Sequence, residues 1–294
     1  MIYCILATLA FTLQNVCCKE YGKRFPNTTH SQMQMILLSS VIVTVIMALT
    51  GGMKPLNPIG YLITFCFGLA FVITLASMTI AMNCGHLGLT VLIQNSSLLV
   101  PVIFGVAVWH ESLTAMKVAG IVCVFIPLIL SSFTGNDPGS GNPNWNKRKW
   151  LFFTALAFLG DSTLAILQGV MSRACATTDS VTFTFWTSLF SAIIALAVLL
   201  LFTLRSRAPL FASVRPRRAF SLTIGGIGIG TAGGNCFTIA ALTVMPSSIL
   251  FPISKCGLLL LIWLIDIIVY REKATPVGWI MFVLGLIGIA LLSI

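Results

Sequence analysis

The chain has 294 residues, of which 57% are hydrophobic and only 8% charged, and its mean hydropathy is +1.02. An ordinary globular domain carries roughly a quarter charged residues, so a water-soluble fold is excluded. The net charge of +10, from 17 Lys and Arg against 7 Asp and Glu, would suggest a nucleic-acid partner in a soluble protein, but here the basic residues sit mostly between apolar runs and are a topology signal.

A bilayer core about 30 Å thick takes about 20 helical residues per crossing, which gives this chain ten crossings with short connections and no separate soluble domain. Apolar runs punctuated by Pro, Gly, Asn and charge predict helices near 2–18, 31–49, 58–81, 87–109, 114–133, 150–171, 181–204, 219–241, 247–269 and 275–293. Met1 opens directly into an apolar run with no basic residue before it, which reads as the first span rather than a signal peptide.

The first predicted helix carries Gln14 and Asn15, and the fourth carries Gln94, Asn95 and Pro101 before the turn Trp109-His110-Glu111. The polar stretch from Thr134 to Lys149 is the linker expected between two units, 1–133 and 150–294. Helix 6 then brings Asp161 and Gln168, and helix 7 an aromatic stripe of Phe183, Phe185, Trp186 and Phe190. In helix 8, Gly228, Gly230 and Gly233 spell a dinucleotide fingerprint. That motif needs a preceding strand, whereas Gly226, Gly230 and Gly234 are small residues at helical spacing that let spans pack closely. Asn235 follows, then Lys255 and Asp266 in helix 9 and the turn Tyr270-Arg271-Glu272 before helix 10. Asp266, close to the end of its helix, is expected to pair with a basic loop residue, while Glu111 and Glu272 sit where a carboxylate complements a helix N-terminus.

Connections after helices 1, 5, 7 and 9 hold thirteen Lys and Arg, and the opposite side holds Lys54, Lys117 and Arg173. Lys and Arg accumulate in short cytoplasmic loops, so both termini are expected outside, in a plasma or bacterial inner membrane. Asn27-Thr28-Thr29 matches a glycosylation acceptor but falls on the cytoplasmic side of this arrangement, where no glycan is added. Nine scattered cysteines without Cys-x-x-Cys spacing imply neither a disulfide framework nor a zinc site, and the isolated His30, His86 and His110 give a metal cluster or cofactor no material.

The run from Gly88 to Gly120 resembles that from Ser247 to Gly278: each is an apolar helix, an aromatic turn ending in Glu, and a second apolar helix. With Leu9-Ala10-Phe11 matched to Leu156-Ala157-Phe158, the chain reads as two copies of a five-helix unit. An odd number of helices per copy inverts the second, so the predicted fold is an all-α integral membrane protein with ten transmembrane helices in an inverted 5+5 repeat. The five-plus-five pattern, Pro101 in the fourth helix and the Trp109-His110-Glu111 turn, with its counterpart Tyr270-Arg271-Glu272, resemble the drug/metabolite transporter superfamily in its EamA-like branch. That resemblance covers nearly the whole chain. It implies a small-solute carrier, usually with both termini cytoplasmic, opposite to the charge bias.

The repeat aligns Gln14 with Asp161 and Gln94 with Lys255, so two amides of the first copy become an acid and a base in the second. Asp161 lies about 18 Å and Lys255 about 13 Å from their helix entries at 1.5 Å per residue. A charge near the bilayer centre costs about 2.5 to 3.5 kcal/mol and normally has a partner or faces a wet cavity. These four residues, with Asn95 and Asn235 as cavity-lining amides and Trp186 as an apolar wall, form the expected solute site. Asn15 and Gln168 are expected to make interhelical hydrogen bonds. A structural ion pair is the competing reading of Asp161 and Lys255.

The expected function is a secondary transporter of a small polar or amphipathic metabolite by alternating access, an amino-acid-like zwitterion first, with protons as the candidate coupled ion through Asp161. The alternative is a facilitator or exporter of drug-like or other metabolites without ion coupling. An enzyme is disfavoured by dispersed carboxylates, and a non-transport assembly protein has no use for mid-membrane charges. The partners implied are a small-molecule solute and the lipid bilayer, with no nucleic acid, for a monomer or homodimer.

Overall fold

The computed structural model describes residues 1–25, 29–84, 90, 93–94, 96–111, 114–134, 147–174, 179–206, 218–269 and 276–293. These residues are helical almost throughout, because a segment inside a bilayer must satisfy its own backbone hydrogen bonds. Ten α-helices are described: α1 (Ile2–Arg24), α2 (Thr29–Leu49), α3 (Pro58–Cys84), α4 (Leu99–Trp109), α5 (Ala115–Thr134), α6 (Lys147–Ala174), α7 (Ser180–Ser206), α8 (Arg218–Leu242), α9 (Ser247–Ile268) and α10 (Pro276–Ser293). Among the described residues, α1, α2, α3, α6, α7 and α9 are each long and apolar enough to cross a membrane.

Burial is inverted relative to a soluble protein. Leu204, Leu222 and Ile2 are 79%, 74% and 73% exposed, while Ser31, Gln34 and Thr64 are fully buried. Many large apolar side chains face outward, as a lipid-facing bundle requires, while Thr64 bonds carbonyls of its own helix and Ser31 bonds Tyr21 of α1. Residues 135–146 of the expected linker, like Asn27, Asn95, Glu272 and the side chain of Asp266, lie outside the described residues, while Thr134 closes α5 and residues 147–149 open α6.

The fourth span departs from the single helix expected over 87–109. Ile93 and Gln94 are helical, Ser96–Leu98 forms a 3-10 turn, and the α-helix begins only at Leu99. The cause is local. Pro101 has no N–H to give the Ser97 carbonyl, which instead accepts the Ser162 hydroxyl of α6 at 3.4 Å. Ser and Asn side chains compete further with helical backbone bonds at this point.

The dominant packing pairs are α1 with α8, α3 with α6, α2 with α7 and α5 with α10, while α9 runs among α1, α4, α5 and α10. Glycine makes the first of these contacts possible. A Cβ on Gly230 would stand 2.6 Å from the Ala10 carbonyl and 2.7 Å from the Gln14 nitrogen, and one on Gly234 would stand 2.5 Å from the Phe11 ring. The stripe is a close-packing face against α1, as its spacing predicts.

Candidate functional site

The bundle brings Asp161 of α6 and Lys255 of α9 together, with Lys255 Nζ 3.1 Å from Asp161 Oδ2. The Ser97 hydroxyl, presented by the 3-10 turn before α4, donates to the same oxygen. Both charges are mid-helix, and their side chains are 19% and 30% exposed, so the pair is compensated yet reachable. Behind Ser97, Ser162 next to Asp161 shares its hydroxyl hydrogen between the Phe158 carbonyl at 2.8 Å and the Ser97 carbonyl at 3.4 Å. The break in the fourth span thus delivers a hydroxyl to the carboxylate that a continuous helix would turn elsewhere.

Of the other predicted residues, Gln14 lies on α1, Gln94 ahead of the 3-10 turn, Trp186 on α7 and Asn235 on α8. Gln14 is half-buried where α1 meets Gly230 of α8, and Gln94 is half-buried just ahead of the 3-10 turn. Asn95 lies outside the described residues. Asn235 is buried and accepts the Gln168 Nε2 at 3.0 Å, an α6–α8 bond of the interhelical kind expected for Gln168. Asn15 differs: it is exposed and donates to Phe11 of its own helix at 2.8 Å. Its amide is satisfied one turn back, which removes the need for a partner on another span.

Trp186 stands half-buried near the start of α7. Its indole N–H donates to the Lys54 carbonyl at 2.9 Å, and its ring meets Tyr61 edge-on at 4.8 Å. An indole needs a partner for its N–H when its ring is covered, and the α2–α3 connection supplies one. Trp186 therefore packs against the apolar cluster of Val43, Met47, Phe185 and Ala232.

Beside Asn235 lies a cavity of about 20 Å³ between α2, α3, α7 and α8, room for one or two waters. Hydroxyls dominate it: Ser39, Ser40, Thr187, Ser188, Ser191 and Thr231. Val43, Phe67 and Phe71 supply its apolar side. Amides and ions mark a site in sequence because they are rare in apolar runs, whereas Ser and Thr are common there. The available signal was the spacing of Thr184, Thr187, Ser188 and Ser191, which share one face of α7.

At one end of the bundle Glu111 makes a second polar centre. The preceding residue, His110, closes α4 in the left-handed region (φ 52°), with Glu111 N–H bonding the Gly105 carbonyl at 3.1 Å. That turn aims the carboxylate at the start of α9, where it accepts the Ser247 and Ser248 backbone N–H groups at 3.1 and 2.9 Å and the Ser247 hydroxyl at 2.9 Å. Glu111 therefore complements the N-terminus of α9, not of the α5 helix that follows it in sequence. Arg173, at the end of α6, pairs with Glu111 and lies 4.2 Å over the Trp109 ring. Gly105 keeps the space clear, since a Cβ there would stand 2.7 Å from Glu111 Oε2. Burial pushes the Glu111 carboxyl up, but the hydrogen bonds from Ser248 and Ser247 together outweigh it and hold the group below its ordinary value. A second ion pair, Lys54 with Asp179, joins the α2–α3 and α6–α7 connections. Four connections are thereby tied along one end, and among the described residues no group of His, Cys, Asp and Glu could hold a metal ion.

Residues 1–133 match the EamA-like transporter family. That match agrees with the resemblance to the EamA branch of the drug/metabolite transporter superfamily, and the long apolar helices agree with a multi-pass membrane protein. A solved crystal structure superposes with a TM-score of 0.75 at 15% identity, covering 99% of this chain and 94% of that chain, which extends the likeness of fold to the second half. No curated protein matches the chain.

Proposed function

We propose that the protein is an alternating-access carrier built from an inverted pair of five-helix units, 1–133 and 150–294, and that its solute is amino-acid-like. The packing pairs support the repeat. Advancing each helix of the first unit by five, and returning each of the second, turns the α1–α8 contact into α6–α3 and α3–α7 into α8–α2, and leaves α2–α7, α4–α9 and α5–α10 unchanged. A two-fold relation in the membrane plane has that signature. The ties among Glu111, Arg173 and Ser247 at one end, with a cavity too small for a metabolite at mid-depth, fit a state closed on that side.

The single observation that carries the solute class is the Asp161–Lys255 pair at 3.1 Å, partly exposed. A zwitterion replaces such a pair without leaving either charge alone, its carboxylate meeting the ammonium and its amine the aspartate, whereas a neutral solute that separates them leaves both uncompensated. In this proposal Gln14, Gln94, Asn95 and Trp186 complete the solute site, and Asn235 lines the cavity between α2, α3, α7 and α8. Coupling to protons through Asp161 is the finer reading and plain facilitation the alternative. The orientation with both termini outside rests on the loop charges. A thermal-stability screen of the purified protein against a metabolite library tests the solute class, since a ligand at about 100 times its Kd stabilises by about 2.7 kcal/mol. Stabilisation by amino acids is expected. Stabilisation confined to anions or hydrocarbons refutes it.

A further inference from the structure

The same three segments meet at two levels of the bundle. At mid-depth the 3-10 turn that leads into α4 supplies the Ser97 hydroxyl, α6 supplies Asp161 and α9 supplies Lys255. At one end Glu111, just beyond α4, accepts the Ser247 and Ser248 N–H groups that start α9 and pairs with Arg173 near the end of α6. Between the two levels runs α4, an unbroken helix of 11 residues, about 16 Å long at 1.5 Å per residue. It packs on both α6 and α9. Its far end is closely pinned, since a Cβ on Gly169 of α6 would stand 2.3 Å from the Trp109 ring.

Asp161 and Lys255 both lie within 150–294, so the ion pair by itself does not join the two proposed units. Among the described residues, the hydrogen bond that reaches either charge from the first unit is that of Ser97. Ser97 is 1% exposed, and a hydroxyl donating to a carboxylate makes a charge-assisted bond about twice as strong as a neutral one. Ser97 and Lys255 both donate to Oδ2 and fill its two lone pairs. Oδ1, with no hydrogen bond among the described residues, is left as the open acceptor of a side chain still 19% exposed. A donor arriving at the pair can take Oδ1 without displacing Ser97. Whatever then moves Asp161 carries the start of α4 with it.

We infer that Ser97 is the positioning residue that couples the Asp161–Lys255 pair to the closure at Glu111, with α4 as the strut between them, a role that rests on the alternating-access reading above and needs no particular solute. A helix of three turns pinned at its far end transmits a shift at its start instead of absorbing it. Glu111 is sensitive to such a shift, because its bonds to Ser247 and Ser248 at 2.9–3.1 Å lie near the outer part of the hydrogen-bonding range and fail when lengthened by about 0.5 Å. Coupling between two sites is a free energy and acts in both directions. Loosening the Ser97 bond must therefore loosen Glu111 on α9, and opening at Glu111 must loosen Ser97 on Asp161.

Hydrogen–deuterium exchange of the purified full-length protein, resolved to single amides, reads the closure directly, because the Ser247 and Ser248 N–H groups have Glu111 as their partner. Glu111→Gln is expected to speed exchange of both amides. Ser97→Ala, a helix length away, is expected to speed the same two by about tenfold, while Thr223 to Ile227, toward the other end of the bundle on α8, exchange at the wild-type rate or more slowly. Asp161→Asn removes the acceptor of the same bond, so adding Ser97→Ala to it should change the rate by less than about twofold. Wild-type exchange of Ser247 and Ser248 in Ser97→Ala, or a full tenfold added in the Asp161→Asn background, overturns the coupling. Faster exchange at both ends in Ser97→Ala is general loosening and overturns it as well. Faster exchange at both ends in Glu111→Gln overturns the alternating-access reading itself, whatever Ser97 does.

Discussion

Among the described residues, replacing Lys255 by Met removes one of the two donors on Asp161 Oδ2 and leaves the carboxylate the Ser97 hydroxyl. Breaking a fully buried ion pair costs about 3–5 kcal/mol, and an exposed pair is worth about 0–1 kcal/mol. With side chains 19% and 30% exposed, the single change should cost about 2–3 kcal/mol. At about 2–4 °C per kcal/mol, that is a fall in melting temperature of about 4–12 °C. Asp161→Asn alone should cost a comparable amount, because Lys255 then stands without its anion. The double variant, which has no charge left to desolvate, should return to within about 1 kcal/mol of wild type. Thermal unfolding of the four proteins in one detergent completes the double-mutant cycle. If the two single losses simply add in the double variant, the residues are not energetically coupled and the pairing carries no functional meaning.

Gly230→Ala should destabilise the α1–α8 contact by about 2–4 kcal/mol, since the new methyl meets backbone atoms that cannot move aside, while Gly225→Ala, with nothing within 4 Å, should be neutral or slightly stabilising in the same melting assay. Glu111→Gln should abolish a pH-dependent part of the stability. A carboxyl held below its ordinary 4.5 stabilises the fold above that pH and loses the effect as the pH falls through its folded value, so the wild-type advantage should be constant near neutrality and vanish in acid. Single cysteines at the two chain ends, in a cysteine-free background, should both react with an impermeant maleimide on intact cells, and protection of both would reverse the topology.

The long apolar helices were legible because lipid demands continuous hydrophobic runs, and a charged residue inside one is rare enough to stand out. Asp161 and Lys255 were found that way, as was the glycine face of α8. The broken fourth span was not. Its cause is one missing N–H at Pro101 relieved by Ser162 of another helix, a compensation that only three dimensions reveal. Glu111 was correctly read as a helix-capping carboxylate but its helix is α9, which tertiary packing and the left-handed His110 bring to it. The serine and threonine cavity was hidden for a different reason. Each hydroxyl is unremarkable in an apolar helix, and only the meeting of four helices brings them to one cavity.

Counterflow of a radiolabelled neutral amino acid into proteoliposomes preloaded with the unlabelled solute tests the central claim most directly, with wild type and the Asp161→Asn/Lys255→Met double variant side by side. Wild type should accumulate label transiently and the folded double variant should not. Counterflow at the wild-type rate in the double variant would contradict the account and leave the ion pair a structural tie between α6 and α9.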